Sequence, residues 1–262
     1  MNTDSTQPPP VPAETSLAAK LTNVFIAPGE VFEEIKSKPV CHTNWLVAGL
    51  IFILLSWCGN AVKFSQESIR HEMAEIQGQA MQKSFQKQID AGKMTQAQAD
   101  QIKAQAAGIT NAIMMIGAFL GPVMMAAIIP FVTGFIWWCI AHLLLRQPIE
   151  YLKAVEAAGL LMVIVGLGAL VKGLLAAAMG TQFVSAGPVL LVRPVDPTRL
   201  LHMVLMSLDV FAVWGTVLNG IALAKLTGAS FVKAFTWVLI LTVVIMGGML
   251  TLGWAAQHMV PK

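Results

Sequence analysis

Three long stretches of this chain hold at most one ionisable side chain each, and this feature limits the possible folds more than any other. The stretches are 45–61, 122–145 and 203–224. A helix crosses the hydrocarbon layer of a membrane with about 20 apolar residues. Only 12% of all residues are charged, whereas a soluble domain carries roughly a quarter. The sequence therefore predicts a polytopic integral membrane protein.

Backbone polar groups must be satisfied within the membrane, which leaves helices and closed barrels as the only spanning structures. The strict alternation of apolar and polar residues that barrel strands require is absent. We therefore predict an all-α, five-span helical bundle with spans at 44–62, 122–145, 154–179, 201–224 and 231–254. The second span is predicted to begin at Pro122, because Gly121 and Pro122 interrupt its apolar run and proline is preferred at helix starts.

The first residues of the chain, 1–16, are polar and rich in proline, and they contain no apolar signal-peptide core. We predict a disordered polar tail there, followed by a membrane domain at 17–262. Lys20, Lys36 and Lys38 precede the first span. Because basic residues near short loops stay on the cytoplasmic side, the amino terminus is predicted to be cytoplasmic and the carboxyl terminus to lie outside.

Two segments outside the spans show helical spacing of apolar residues. The first forms two short stripes before the first span, Leu17, Leu21, Val24 and Phe25, then Val31, Phe32 and Ile35. These short helices suit the membrane interface or pack beneath the bundle. The second is 63–120, predicted as an outer helical hairpin that ends in an interfacial helix. Its turn is indicated by Gly92 and by a capping box of Thr95 and Gln98. The hairpin is either a linker that packs on itself or a site for partners.

Glycine recurs every seven residues along the third span, at Gly159, Gly166, Gly173 and Gly180. Small residues on one stripe let another helix approach closely, and such packing drives helix association in lipid. The third span is therefore predicted to be the central helix, with these glycines as its packing positions.

Ionisable groups within spans are the default functional candidates, and in this chain they are Lys172 and Asp209. At 1.5 Å per residue both lie roughly 10 to 12 Å from the outer ends of their predicted spans, so they could form a neutralising pair. Alternatively, Lys172 extends outward to the surface and Asp209 faces a polar crevice together with Asn219.

The sequence contains no recognisable motif for catalysis or for binding a metal or a phosphate. His71, Glu72 and Glu75 form H-E-x-x-E, one ligand short of a metalloprotease helix, and no phosphate-binding loop occurs. The three cysteines show no paired spacing. A net charge of +3 is too small for a nucleic-acid surface, and the basic residues are too scattered along the chain to form one. We predict that the protein is not an enzyme, with no metal, no cofactor and no nucleic-acid partner.

Several short segments form a recognisable series along the chain. The first is Phe25 to Pro39, followed by Trp45 at the first span. The others are the turn G-K-M-T-Q-A-Q at 92–98, the crossing from Arg146 through Tyr151 and Lys153, the run S-L-D-V-F-A-V-W at 207–214, Leu226-Thr227-Gly228 and Lys233-Ala234. Together they resemble the Ypt-interacting protein (Yip) family in its bacterial branch, and the resemblance covers nearly the whole chain from about residue 17.

The resemblance implies a five-span bundle with a cytoplasmic amino terminus, in a bacterial inner membrane. Eukaryotic relatives are associated with Rab-type GTPases and membrane shaping, and none is known as an enzyme. No residue-level match carries GTPase binding over to this chain. The leading hypothesis is a non-enzymatic protein that organises or shapes membrane or scaffolds partners, which include the lipid bilayer, other membrane proteins or further copies of itself. The competing hypothesis is a transporter or channel with a polar pathway near Asp209.

Overall fold

The structure, a computed structural model, describes residues 15–258, with the side chains of 106–111 and 256–258 left out. The predicted disordered tail therefore lies almost wholly outside the described residues. Within them every regular element is a helix. The first five helices are α1 (Leu17–Ile26), α2 (Pro28–Ser37), α3 (His42–Ser65), α4 (Glu67–Asp90) and α5 (Gln96–Cys139).

A π-helical turn, Ile140–Leu145, continues α5, and a short 3₁₀ helix, Pro188–Leu191, lies in the loop after α7. The remaining helices are α6 (Tyr151–Leu160), α7 (Met162–Met179), α8 (Leu200–Ser207), α9 (Val210–Thr227) and α10 (Phe231–His258). Capping residues lie at the ends of several helices. Ser16 accepts a hydrogen bond from the Ala19 amide at the start of α1, and Gly228 ends α9 at a positive φ of 75°.

Five segments are long and apolar enough to cross a membrane, which confirms the predicted all-α fold with five candidate spans. They are His42–Ser65, Ala112–Leu145, Tyr151–Met179, Val210–Thr227 and Phe231–Ala255. The fourth is shorter than the predicted 201–224, because the chain bends between α8 and α9 at Leu208 and Asp209. A continuous apolar run conceals such a bend, since the residues of α8 are as apolar as those of a span.

The predicted helix boundary at Pro122 is wrong, because α5 runs without interruption through both Pro122 and Pro130. Proline lacks an N–H, so Pro122 leaves the carbonyl of Ala118, four residues earlier, without its helical partner. Asn60 of α3 donates its side-chain Nδ2 to that carbonyl at 2.6 Å. The neighbouring Phe119 carbonyl accepts from the Trp57 indole at 2.8 Å. A helix can continue through proline in a membrane where a neighbouring helix satisfies the freed group, as here.

The third span, α6 with α7, is the most enclosed element of the bundle. In its most apolar stretch 44% of the residues are buried, against 11% in the second span and 6% in the fifth. It packs most extensively against α3, α5 and α9. The central position of this span follows from its small residues, which allow close approach on several sides.

The two short amino-terminal helices pack beneath one end of the bundle rather than standing alone at its surface. Of the two, α2 contacts both α9 and α6. Phe32 and Ile35 of α2 are buried in the main hydrophobic core, together with Leu160 of α6 and Leu223 of α9. This end of the bundle therefore brings α2 together with α6 and α9.

The segment between the first two spans consists of α4 and the start of α5, joined by a turn at Gly92. The capping box is present as predicted, since Gln98 donates its amide to Thr95 Oγ1 and accepts from the Thr95 amide. The first half of α4 also touches the end of α7, where Glu72 accepts hydrogen bonds from Thr181 and Gln182 at 2.7 Å. The outer location of this hairpin stays a prediction.

Candidate functional site

A polar cluster surrounds the four residues 38–41 that connect α2 to α3, which we call the joint. Lys153, in the first turn of α6, reaches the end of α2 with its ammonium group. It donates hydrogen bonds to the carbonyls of Ile35 and Lys36 at 2.8 Å, and to that of Lys38. These carbonyls have no partner within a helix that ends at Ser37. Lys153 therefore caps α2 from a different part of the chain.

Glu156 holds the other side of the joint. Its Oε2 accepts a hydrogen bond from the Cys41 amide at 3.1 Å, and its Oε1 accepts one from the Asn44 side chain. The residue is only 1% exposed, and Asn44 is 2% exposed. A buried carboxylate is costly unless its oxygens accept hydrogen bonds, and both oxygens of Glu156 do so.

The two side chains act on the joint as a pair because they lie three positions apart on α6 and therefore share one face. The end of α2 carries partial negative charge and the start of α3 partial positive charge, from the unsatisfied groups of each helix. Lys153 faces the first and Glu156 the second, so each charge has the favourable sign. The arrangement fixes the angle at which α2 enters beneath the bundle.

An ion pair ties α1 to α2. Lys20 Nζ lies 3.3 Å from Glu34 Oε1, and the two side chains are only 12% and 18% exposed. Burial raises the pKa of Glu34, but hydrogen bonding to Thr15 and the charge of Lys20 outweigh it, so the pKa lies below its ordinary value. Glu34 is therefore ionised at neutral pH, and its stabilising contribution is lost only when the pH falls through this lowered pKa.

Sequence reasoning missed Glu156 and Asn44. Glu156 was inside the predicted third span, and it is the only acidic residue between Tyr151 and Met179. Its isolation in the run A-V-E-A-A-G-L was the available signal, since an acid among apolar residues inside a span is expensive. Its partner Cys41 is 115 positions away, so no local pattern could have indicated the contact.

The structure places three of the four stripe glycines against α3. A Cβ on Gly159 would lie 2.2 Å from the Trp45 Cβ, one on Gly166 would lie 2.8 Å from the Phe52 Cα, and one on Gly173 would lie 2.3 Å from the Gly59 carbonyl oxygen. All three separations are too short for any side chain. Gly180 differs, because it ends α7 with a positive φ of 68° and its Cβ position is uncrowded.

Asp209 lies just before the helix of the fourth candidate span, Val210–Thr227, rather than inside a continuous helix over 201–224. The residue precedes α9 as its N-cap: Oδ1 accepts from the Phe211 amide at 2.8 Å, and Oδ2 accepts from the Ala186 amide at 2.9 Å. The Val210 amide returns a bond to the Ala186 carbonyl at 2.9 Å. Asp209 therefore joins the loop after α7 to the start of α9.

Lys172 and Asp209 form no ion pair within the part of the chain that the structure describes. The Lys172 side chain is exposed, and its charge acts on Lys63 of α3, a like charge. Asn219 donates to the Gly215 carbonyl of its own helix at 2.6 Å. Ten residues of α9 separate it from Asp209, or about 15 Å, so the structure does not bring the three candidates together.

Among the residues described, no group of three metal-ligating side chains occurs. Glu72 of the H-E-x-x-E segment is engaged with Thr181 and Gln182. The thiols of Cys41, Cys58 and Cys139 are free. The arrangement at the joint stabilises the connection between α2 and α3, because Lys153 and Glu156 each bond backbone groups at the end or the beginning of a helix.

The model of the Yip1 domain family matches residues 22–253 of the chain. This protein belongs to the Yip1 domain family. The match extends from α1 into α10, so the Yip1 domain includes the joint, the first four candidate spans and all but the last two residues of the fifth. The resemblance found in the sequence is thereby confirmed at the level of the family, while the bacterial branch stays a prediction. No curated protein and no solved structure shows significant similarity to the chain.

Proposed function

We propose that this Yip1 domain protein is a non-catalytic membrane organiser that scaffolds partner proteins or further copies of itself through its exposed helical faces. The observation that carries the proposal is the uneven burial of the spans. Only 6% of the most apolar stretch of α10 and 11% of that of the second span are buried. These two spans leave broad apolar faces at the rim of the bundle, where lipid or another membrane protein can contact them.

The use of polar groups supports the same proposal. Glu156 and Asp209 accept hydrogen bonds from backbone amides, and Asn219 donates to a carbonyl of its own helix. Groups that line a solute pathway must stay available to water and to the solute. Here Glu156 and Asp209 connect separate segments of the chain, and Asn219 bonds within its own helix, which suits a scaffold.

Photo-crosslinking and solute flux together test this role. We expect a photoreactive residue at Met124 of α5 or Val244 of α10, both exposed, to give protein adducts of discrete and reproducible mass in living cells. Liposomes that contain the purified protein should stay impermeable to ions and small solutes. The matched control is the same residue at buried Ala222, which should give no intermolecular adduct.

Two outcomes would contradict the proposal. Adducts with lipid alone at both exposed positions would remove the scaffold role. Solute flux that disappears in Asp209→Asn would instead support the transport hypothesis, because the exchange removes the charge while it keeps the shape of the side chain.

We also propose that α1 and α2 face the cytoplasm of a bacterial cell, across its inner membrane. Three lysines lie at the end of the bundle beneath which α1 and α2 pack, namely Lys36, Lys153 and Lys225. The positive-inside rule assigns such residues to the cytoplasm.

Reporter fusions test the assignment. A fusion at the amino terminus should be active only as a cytoplasmic reporter, and one at the carboxyl terminus only as an external reporter. Activity of both in one compartment would reject the five-span topology.

A further inference from the structure

A groove lies between α2 and the turn that connects α9 to α10, and we call it the basic groove. Its volume is about 560 Å³, and its walls include Glu33, Lys36, Lys225, Gly228, Ala229 and Phe231. Two ammonium groups and one carboxylate therefore line a single space. The groove carries a net positive charge.

The single carboxylate serves both lysines. Glu33 Oε2 lies 2.9 Å from Lys225 Nζ, and the charge of Lys36 acts on the same carboxylate. The hydrogen bond and charge of Lys225, with a smaller contribution from Lys36, hold the pKa of Glu33 below its usual value. Lys36 itself lies against the turn, since a Cβ on Gly228 would be 3.3 Å from its Nζ. Its ammonium group thus retains the capacity to bind a further anion in the groove.

The position of the groove relative to the spans indicates which anion. Lys225 is in the last turn of the fourth span, and Phe231 is the first residue of the fifth. The groove therefore opens where two spans leave the hydrocarbon layer, at the depth of the lipid headgroups. Beside it, Phe231 is 44% exposed and Val232 is 71% exposed, which suits contact with acyl chains.

From this juxtaposition we propose that the basic groove binds the phosphate headgroup of an anionic phospholipid. Lys36 and Lys225 donate to the phosphate oxygens, while the acyl chains lie along Phe231 and Val232. The chemistry is that of a charge-assisted hydrogen bond between ammonium and phosphate. The proposal goes beyond the scaffold role and does not rest on it, because lipid binding at this groove requires only the membrane placement of α9 and α10.

Native mass spectrometry of the full chain tests the proposal. The protein is reconstituted in nanodiscs that contain equal amounts of phosphatidylcholine and phosphatidylglycerol. The lipids that stay bound after the protein is released from the nanodisc are then counted. We expect phosphatidylglycerol to be enriched. Lys36→Gln should reduce the enrichment about fivefold, the effect expected for one lysine near an anionic lipid surface. Lys83→Gln in α4, another exposed lysine, should leave it unchanged.

Glu33→Gln gives an expected change of opposite sign, which general destabilisation cannot imitate. It removes the competing carboxylate and leaves both lysines for the lipid, so enrichment should rise. Equal enrichment in the wild type, Lys36→Gln and Glu33→Gln would overturn the proposal.

Discussion

Glu156→Leu is expected to lower the free energy of unfolding by about 3 kcal/mol, because it leaves two hydrogen-bond donors at the joint, one of them fully buried, without acceptors. The donors are the Cys41 amide and the Asn44 side chain, both of which bond to Glu156. Titration of the protein in mixed micelles with a denaturing detergent, followed by far-ultraviolet circular dichroism, measures the change. Glu150→Gln, an exposed acid just ahead of α6, is the matched control and should have little effect.

A second comparison isolates the hydrogen bonds of Glu156 from its packing. Glu156→Leu combined with Asn44→Leu should cost less than the sum of the two single changes, because replacing both partners removes the unpaired donor. Unchanged stability in Glu156→Leu would show that the joint needs no carboxylate.

Gly173→Ala is expected to cost about 3 kcal/mol, at the upper end of what overpacking a single methyl group produces. The added Cβ would lie 2.3 Å from the Gly59 carbonyl oxygen and 2.6 Å from the Gly59 Cα. Both atoms belong to the backbone of α3, so no side-chain rotation can relieve the clash. The two helices must separate along the most extensive contact in the bundle.

The matched control for this substitution is Gly215→Ala in α9. No atom lies within 4 Å of the Cβ position of Gly215. The exchange should leave stability unchanged or raise it by up to about 1 kcal/mol, because alanine loses less conformational freedom in a helix than glycine does. The temperature at which half of the monodisperse protein is lost on size-exclusion chromatography gives the comparison. Similar temperatures for Gly173→Ala and the wild type would show that α3 and α7 do not depend on their close approach.

Much of the fold was accessible to sequence reasoning because hydrophobicity adds up locally along the chain. The five candidate spans, the turn at Gly92 and the capping box of Thr95 and Gln98 each depend on residues that are close in sequence. The spacing of Gly159, Gly166 and Gly173 likewise showed which side of a span can approach a neighbour, although it could not name α3 as that neighbour.

The candidate site was less accessible, because polar groups in a membrane take their roles from distant partners. Asp209 looked like a charge inside a span, but the hydrogen bond that it accepts from the Phe211 amide makes it the N-cap of α9. Pro122 looked like a helix boundary, yet Asn60 of another span accounts for the carbonyl that it frees. In both cases the sequence identified the unusual residue but misjudged its place in the helix.

The sequence by itself determined that this chain is a helical membrane protein, how many spans it offers and which family it resembles. Only the tertiary structure decided which charges are buried and what they bind, as Lys153 and Glu156 do at the joint. The physical reason is the difference in range of the two forces. Transfer of apolar residues from water depends on the composition of a single segment, whereas a buried polar group is stable only beside specific donors and acceptors, which folding brings from far along the chain.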